Sequence, residues 1–270
     1  MLEKFRDIRN KSRKDSLYFQ VHLTYHCNLK CKSCSHFSPL SEERELNIDV
    51  FENDFKRLSL LGEDKIRKID LLGGEPLLHS QINDCLFIAR KYFRNAEIIL
   101  ITNGLLLPKM PEAFWRACKE NKIVLAISPY PIKIDIDKIK QMVKAFDLDF
   151  LYDPDAVNKT TFGHFRMDIN GTQNAAENVK LCFESKNCHC LDNGKMFLCY
   201  LPPCVDIFNR QFEKNIPVVE EDSIDIYKAS SISEIIEFLK KPMPFCKYCD
   251  VKNRNPINWG VSKKVVEEWT

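Results

Sequence analysis

The sequence predicts an α/β fold, a mostly parallel sheet built from successive βα units and followed by a small cysteine-rich C-terminal domain. Three observations carry that expectation. Across the first 150 or so residues, short β-branched and aromatic runs alternate with stretches of helical apolar spacing. The stretches with chemical promise fall directly after the strand runs, where the functional loops of parallel sheets lie. Beyond about residue 165 the alternation stops, and Cys182, Cys188, Cys190, Cys199, Cys204, Cys246 and Cys249 crowd into what remains.

The elements follow in order. Residues 17–25, LYFQVHLTY, form the first strand and run into Cys27. From Ile48 onward Val50, Phe51, Phe55, Leu58 and Leu61 recur at helical spacing, and Gly62 can end that helix. IRKIDLL at 66–72 is the second strand, followed at once by GGEP at 73–76. Ile82, Leu86, Ala89 and Phe93 mark the second helix, and AEIILIT at 96–102 is a buried strand that ends in Asn103 and Gly104. Phe114 to Cys118 fall in a third helix, and KIVLAIS is the fourth strand, ending at Ser128 and Pro129. Ile136, Ile139, Val143 and Phe146 define a fourth helix, and LDFLY at 148–152 a fifth strand. Such a run implies right-handed crossovers.

After residue 165 the signals are sparser. Residues 182–200 read as a hairpin around Asp-Asn-Gly. SISEIIEFLK is a short helix capped by Ser231 or Ser233, with Glu234 in its first turn, and SKKVVEEW at 262–269 reads as a closing helix. The chain therefore divides into an N-terminal extension (1–16), a core (17–165) and a C-terminal domain (166–270). The last is too poor in regular apolar pattern to be self-sufficient, and a metal centre would supply folding energy.

Composition bounds the function. In 270 residues, 40 basic and 38 acidic side chains nearly cancel, which argues against nucleic acid and against a polybasic membrane patch. The basic stretch from Arg6 to Lys14 reads as a solvated helix face. No apolar run approaches the roughly 18 residues of a membrane span, and the N-terminus lacks a signal-peptide core. A cytoplasmic protein follows, and there twelve cysteines point to metal rather than disulfides.

Cys27, Cys31 and Cys34 sit in one loop, TYHCNLKCKSC. Disulfides use thiols in pairs, and closed zinc sites usually take four ligands. Three thiolates can hold three corners of a cubane iron–sulfur cluster and leave one iron open. A zinc site with a distant fourth ligand, or free surface thiols, are the alternatives. In GGEP, Gly73 and Gly74 suit a close approach of a ligand to the backbone, Glu75 offers a carboxylate to an ammonium group, and Pro76 stiffens the exit. An ordinary tight turn is the alternative there. Cys85 and Cys118 lie on apolar helix faces and read as core thiols; Trp259 and Trp269 read as anchors of the C-terminal segment. His22 alternates toward the interior of the sheet, and His26 and His36 flank the cysteine loop.

The triplet followed by GGEP after the second strand resembles the radical S-adenosylmethionine superfamily over the first 150 or so residues. The resemblance implies a partial (β/α)6 barrel. It implies a 4Fe–4S cluster on Cys27, Cys31 and Cys34, with S-adenosylmethionine chelated at the open iron. Gly73, Gly74, Glu75 and Pro76 match the turn that meets the cofactor's amino group, Ser128 the ribose or carboxylate position, and Arg166 a carboxylate clamp. Ser33 stands where the family often has an aromatic residue against the adenine, so that packing falls to His36 or Phe37. The second cysteine set is similar to the Twitch domain, the short form of the SPASM extension. It implies an auxiliary 4Fe–4S cluster on Cys199, Cys246, Cys249 and either Cys182 or Cys188; a structural zinc ribbon on the same thiols is the alternative.

The resemblance implies reductive cleavage of S-adenosylmethionine and abstraction of a hydrogen atom from a substrate. An auxiliary cluster suits a two-electron oxidation. Epimerisation, with Cys204 as hydrogen donor, or peptide modification of the kind seen in ribosomal-peptide maturation, are the other enzymatic outcomes, and a non-catalytic iron–sulfur or zinc scaffold is the outcome of another class. The substrate is expected to be a small molecule, carbohydrate or peptide, and the electron donor a flavodoxin or ferredoxin. About 16 residues precede the first strand, so a peptide leader would need a separate recognition protein.

Overall fold

The computed structural model describes residues 16–128, 130–153 and 160–270. The N-terminal extension up to residue 15 with its basic stretch, Pro129, and residues 154–159 lie outside the described residues. Five strands follow the expected order: β1 (Leu17–Thr24), β2 (Ile66–Gly73), β3 (Glu97–Thr102), β4 (Ile123–Ile127) and β5 (Phe150–Leu151). Between them lie α1 (Ile48–Gly62), α2 (Ile82–Tyr92), α3 (Glu112–Glu120) and α4 (Ile136–Ala145). β1 through β5 are parallel neighbours.

A sixth parallel strand exists, but it does not follow β5. It is β7 (Cys190–Asp192), the first strand of the Asp-Asn-Gly hairpin, and it pairs with the free edge of β1 through Gln20↔Cys190 and Val21↔Leu191. β8 (Lys195–Phe197) and β9 (Ser223–Asp225) continue antiparallel, so one eight-stranded sheet runs β5-β4-β3-β2-β1-β7-β8-β9. The cysteine-rich region thus extends the main sheet. Asn193 and Gly194, with φ of 45° and 75°, make the turn the sequence calls for.

Alternation within β1 assigns its faces. Phe19, Val21 and Leu23 pack with Phe51, Phe55 and Leu58 of α1 and with Phe93, which turns Gln20, His22 and Thr24 to the other side. The N-cap of α1 is Asn47, whose side chain accepts from the amides of Asp49 (2.9 Å) and Val50 (3.2 Å). A second apolar cluster, including Phe37, Phe165, Tyr200, Phe208, Phe245 and Trp269, underlies the C-terminal region.

Three features of that region differ from the expectation or were absent from it. Helix α5 (Ala175–Leu181) is capped by Asn174, which accepts from Glu177 N (3.1 Å). Helix α6 (Leu201–Phe212) carries two prolines in its first turn, where a missing amide costs nothing. Residues 262–269 form no closing helix; only Val266–Glu268 make a single 3-10 turn. The physical reason is a break in the backbone: Lys264 takes a left-handed φ of 56°, which a right-handed helix cannot contain, while Ser262 N donates to Lys30 O (2.7 Å) and the buried Glu268 carboxylate accepts from Lys263 N (2.7 Å). Helix α7 (Ile232–Phe238) is capped by Ser231 as expected, with Ser231 Oγ accepting from Glu234 N (3.3 Å). Among the described residues no helix is long and apolar enough to cross a membrane.

Candidate functional site

The C-terminal ends of β1 to β4 meet on one side of the sheet. Cys27, Cys31 and Cys34 lie in the loop after β1, and the structure bonds that loop to GGEP. Gly74 N donates to Thr24 O (2.9 Å) and Glu75 N to His26 O (3.0 Å). A Cβ on Gly74 would lie 2.0 Å from His26 O, and one on Gly73, at φ +154°, would lie 2.2 Å from Thr24 O. The glycines are therefore required by the close approach of the chain's own backbone at Thr24 and His26. Pro76 is buried and opens the 3-10 turn Pro76–Leu78.

Glu75 is held by the protein as well. It has no exposed surface, and its carboxylate braces three segments. Thr102 Oγ1 donates to Oε1 (2.6 Å), Asn103 N to Oε2 (2.9 Å), and Leu77 N to Oε1 (3.2 Å). Burial raises its pKa, and these bonds offset only part of the rise. These protein donors fix the orientation of the carboxylate.

The three thiols lie close enough to feel one another's charge. Burial pushes Cys27 up to about 12, and the charges of Glu75, Cys34 and Cys31 add to it. Cys31 rises to about 11, chiefly by burial, against the Trp259 N–H that favours its thiolate. Cys34 is raised by burial too. Such thiols stay protonated alone and lose their protons to a metal centre. Around them are donors that suit thiolate sulfur: Leu29 N (3.3 Å from Cys27 Sγ), Asn103 Nδ2 (3.7 Å from the same sulfur) and Trp259 Nε1 (3.3 Å from Cys31 Sγ). No three His, Cys, Asp or Glu side chains among the described residues are gathered for a single metal ion. Three thiols in one loop, with N–H donors to two of the sulfurs, fit an iron–sulfur cluster.

Ser128 sits at the end of β4, where its amide donates to Thr102 O (2.9 Å), so it shares this end of the sheet with Glu75. Two residues on, Tyr130 lies close enough to Cys31, Cys34, Cys27 and Glu75 for their charges to add to the rise that burial gives its phenol. Sequence reasoning missed it. Phe37 is placed elsewhere; it is fully buried with its ring against Phe208 and Trp269, so it has no face for an adenine. Arg166 is also displaced. It pairs with Asp250 (3.2 Å) and lines a separate open cavity with Asp168 and Thr270.

The second thiol set converges as the spacing implies. Cys182, Cys199, Cys246 and Cys249 all line one small cavity, with Phe165, Asn178 and Arg254 in its wall. Cys188 does not line it. The single helical turn Glu184–Asn187 is closed by Cys188 N to Glu184 O (2.8 Å), and the Cys188 thiol feels the charges of Glu184, Asp70 and Cys182. Buried Asn178 holds the Cys-x-x-Cys loop by donating to Cys246 O (2.8 Å) and Cys249 O (2.5 Å). Burial pushes Cys246 up to about 11 and Cys249 up to about 12. Arg254 donates to Glu184 Oε2 (2.8 Å) and lies 3.7 Å from Cys182 Sγ, a cation beside the thiol set that the sequence reading did not single out.

Cys204 is on α6 with no exposed surface, its Sγ 3.3 Å from His22 Nδ1. His22 in turn stacks near His36 (4.6 Å between centroids), and His36 near Tyr200 (4.4 Å). His36 Nδ1–H donates to Gly73 O (3.0 Å), and burial pulls His36 down to about 4. Cys85 and Cys118 are fully buried core thiols.

The Radical SAM superfamily profile matches residues 21–194. A GTP 3',8-cyclase of Helicobacter pylori is 31% identical over 93 residues, covering 34% of this chain and 29% of that protein. One from Nautilia profundicola is 34% identical over 90 residues, covering 33% of this chain and 28% of that protein. The matched stretch spans less than a third of each relative. Among solved structures, BtrN in complex with AdoMet and 2-DOIA superposes over 87% of this chain and 94% of its own, with a TM-score of 0.50 at 19% identity. That likeness is one of fold.

Proposed function

The chain belongs to the radical SAM superfamily, and from that premise we propose an enzyme with two iron–sulfur sites. One is a 4Fe–4S cluster on Cys27, Cys31 and Cys34 that takes S-adenosylmethionine at its open iron. The other is an auxiliary, Twitch-like 4Fe–4S cluster on Cys182, Cys199, Cys246 and Cys249. When bound, the first pair supplies reductive cleavage of S-adenosylmethionine and a radical that takes a hydrogen atom from a substrate.

The observation that carries the reading is the division of thiols into two spaces: three on the loop bonded to GGEP, four around one cavity. The chain's own residues do the positioning. The Gly74 and Glu75 amides lock the cysteine loop, Glu75 ties it to the end of β3, and Ser128 and Tyr130 wall the same end. Burial lowers the pKa of both His22 and His36.

The net reaction we favour is a two-electron oxidation of a small-molecule, carbohydrate or peptide substrate, with a flavodoxin or ferredoxin as donor of the initiating electron. The substrate gives up a hydrogen atom, then an electron and a proton, and an auxiliary cluster is a destination for that electron. The relatives named GTP 3',8-cyclase favour a second reading, a redox-neutral cyclisation. The test is anaerobic reconstitution with dithionite and S-adenosylmethionine. Release of 5′-deoxyadenosine supports the radical reading, and its absence sinks it. With a substrate in hand, a product lighter by two hydrogens supports oxidation, and a product of unchanged hydrogen count supports cyclisation.

A further inference from the structure

The end of the chain is strapped across the loop that carries the first three cysteines. Cys31 and Val261 form an antiparallel bridge, with Lys32 N donating to Gly260 O (2.7 Å) and Ser262 N to Lys30 O (2.7 Å). Farther along, the buried Trp269 donates its Nε1–H to Cys34 O (2.8 Å), and Met167 N donates to Trp269 O (2.7 Å). The strap is anchored on its near side as well. β10 (Pro256–Asn258) pairs antiparallel with β6 (Thr161–Gly163), and Trp259 N donates to Thr160 O (2.8 Å).

Trp259 is thus held by its own backbone on one side and by the strap on the other. Its side chain points at a sulfur. Nε1–H donates to Cys31 Sγ at 3.3 Å, across 228 positions of sequence. An indole nitrogen can only donate, so the direction of this bond is unambiguous. A donor to a ligating thiolate stabilises negative charge on the cluster, and the reduced cluster carries one more negative charge than the oxidised one. Hydrogen bonds to sulfur are among the quantities that set cluster potentials.

We propose that Trp259 is a positioning residue whose indole N–H bonds the Cys31 thiolate and raises the reduction potential of the cluster held by the triplet. The C-terminal strap then governs how easily the initiating electron enters. The inference rests on the reading that Cys27, Cys31 and Cys34 hold that cluster.

The test compares the reconstituted holoprotein with Trp259→Phe, which keeps an aromatic ring and removes the N–H. Iron is counted first. The paramagnetic signal of the reduced cluster that responds to S-adenosylmethionine is then titrated against solution potential. At the wild-type midpoint, the reduced-to-oxidised ratio in the variant is expected to fall about tenfold, a shift of about 59 mV to the negative for a one-electron couple. A ratio within about twofold of wild type at full iron content overturns the proposal. A second measurement needs no variant. In wild-type protein labelled with ¹⁵N-tryptophan, the signal responsive to S-adenosylmethionine should carry a ¹⁵N coupling, and its absence also overturns the proposal. Failure of the wild-type triplet to hold any such cluster would instead remove the underlying reading, and it would show at the iron count.

Discussion

Replacing Glu75 separates a brace from a mere ligand contact. The carboxylate takes three buried donors: Thr102 Oγ1 (2.6 Å), Asn103 N (2.9 Å) and Leu77 N (3.2 Å). Leaving a buried donor unpaired costs about 1–3 kcal/mol. Three would approach ~6 kcal/mol, but water entry and removal of a buried carboxyl return part, so Glu75→Ala should cost about 3–5 kcal/mol. Glu75→Gln keeps one acceptor oxygen but points an amide at Asn103 N–H or at Thr102, and should cost about 1–2 kcal/mol. The pH dependence has a definite sign. Burial raises the folded-state pKa of Glu75 above its ordinary 4.5, so the folded state holds this proton more tightly than the unfolded one. The associated stability is complete below the ordinary value and is lost as pH rises through the folded value. The lead of wild type over Glu75→Gln should therefore narrow between pH 5 and pH 8. Urea unfolding followed by tryptophan fluorescence, at both pH values and under reducing conditions, reads both effects. An Ala variant within about 1 kcal/mol of wild type, or a lead over Gln that widens with pH, would refute the reasoning.

Two further substitutions test the placement of the loops and of the buried thiol. Gly74→Ala puts a Cβ 2.0 Å from His26 O, a backbone atom with no freedom to give, whereas Gly163→Ala meets nothing within 4 Å. The first should lose at least about 3 kcal/mol and fail to load the triplet with iron, while the second should do neither. Cys204→Ala removes a fully buried sulfur from beside His22 and should cost about 1–2 kcal/mol. It should leave 5′-deoxyadenosine formation and solvent-deuterium incorporation unchanged; loss of deuterium from the product with cleavage intact would establish Cys204 as a hydrogen donor.

Local signals carried the first half of the fold. Period-two strands, the Asn47-to-Gly62 helix and the Asp-Asn-Gly turn each depend on neighbours a few residues away, and the structure forms all three. The cysteine sets were legible because spacing within a loop is itself a local quantity. What escaped was set by contacts at long range. Glu75 is consumed by Thr102 and Asn103 from β3 and its exit. Phe37 is drawn into a core with Phe208 and Trp269, which no reading of residues 30–40 reveals. Arg166 finds Asp250. The closing segment has helical composition, yet its Ser262 amide bonds Lys30 O more than 200 positions earlier and Lys264 turns left-handed, which interrupts any helix there. The two prolines at the start of α6 look like a loop until the first-turn exemption is considered.

The account stands on two thiol sites of different kinds, and iron counting tests that most directly. Anaerobically reconstituted protein should hold about eight irons, and protein with Cys27, Cys31 and Cys34 all replaced by Ala should hold about four. Replacing Cys246 and Cys249 instead should also leave about four, now with the signal that responds to S-adenosylmethionine intact. Native protein that carries stoichiometric zinc on either set and resists iron loading would contradict the account.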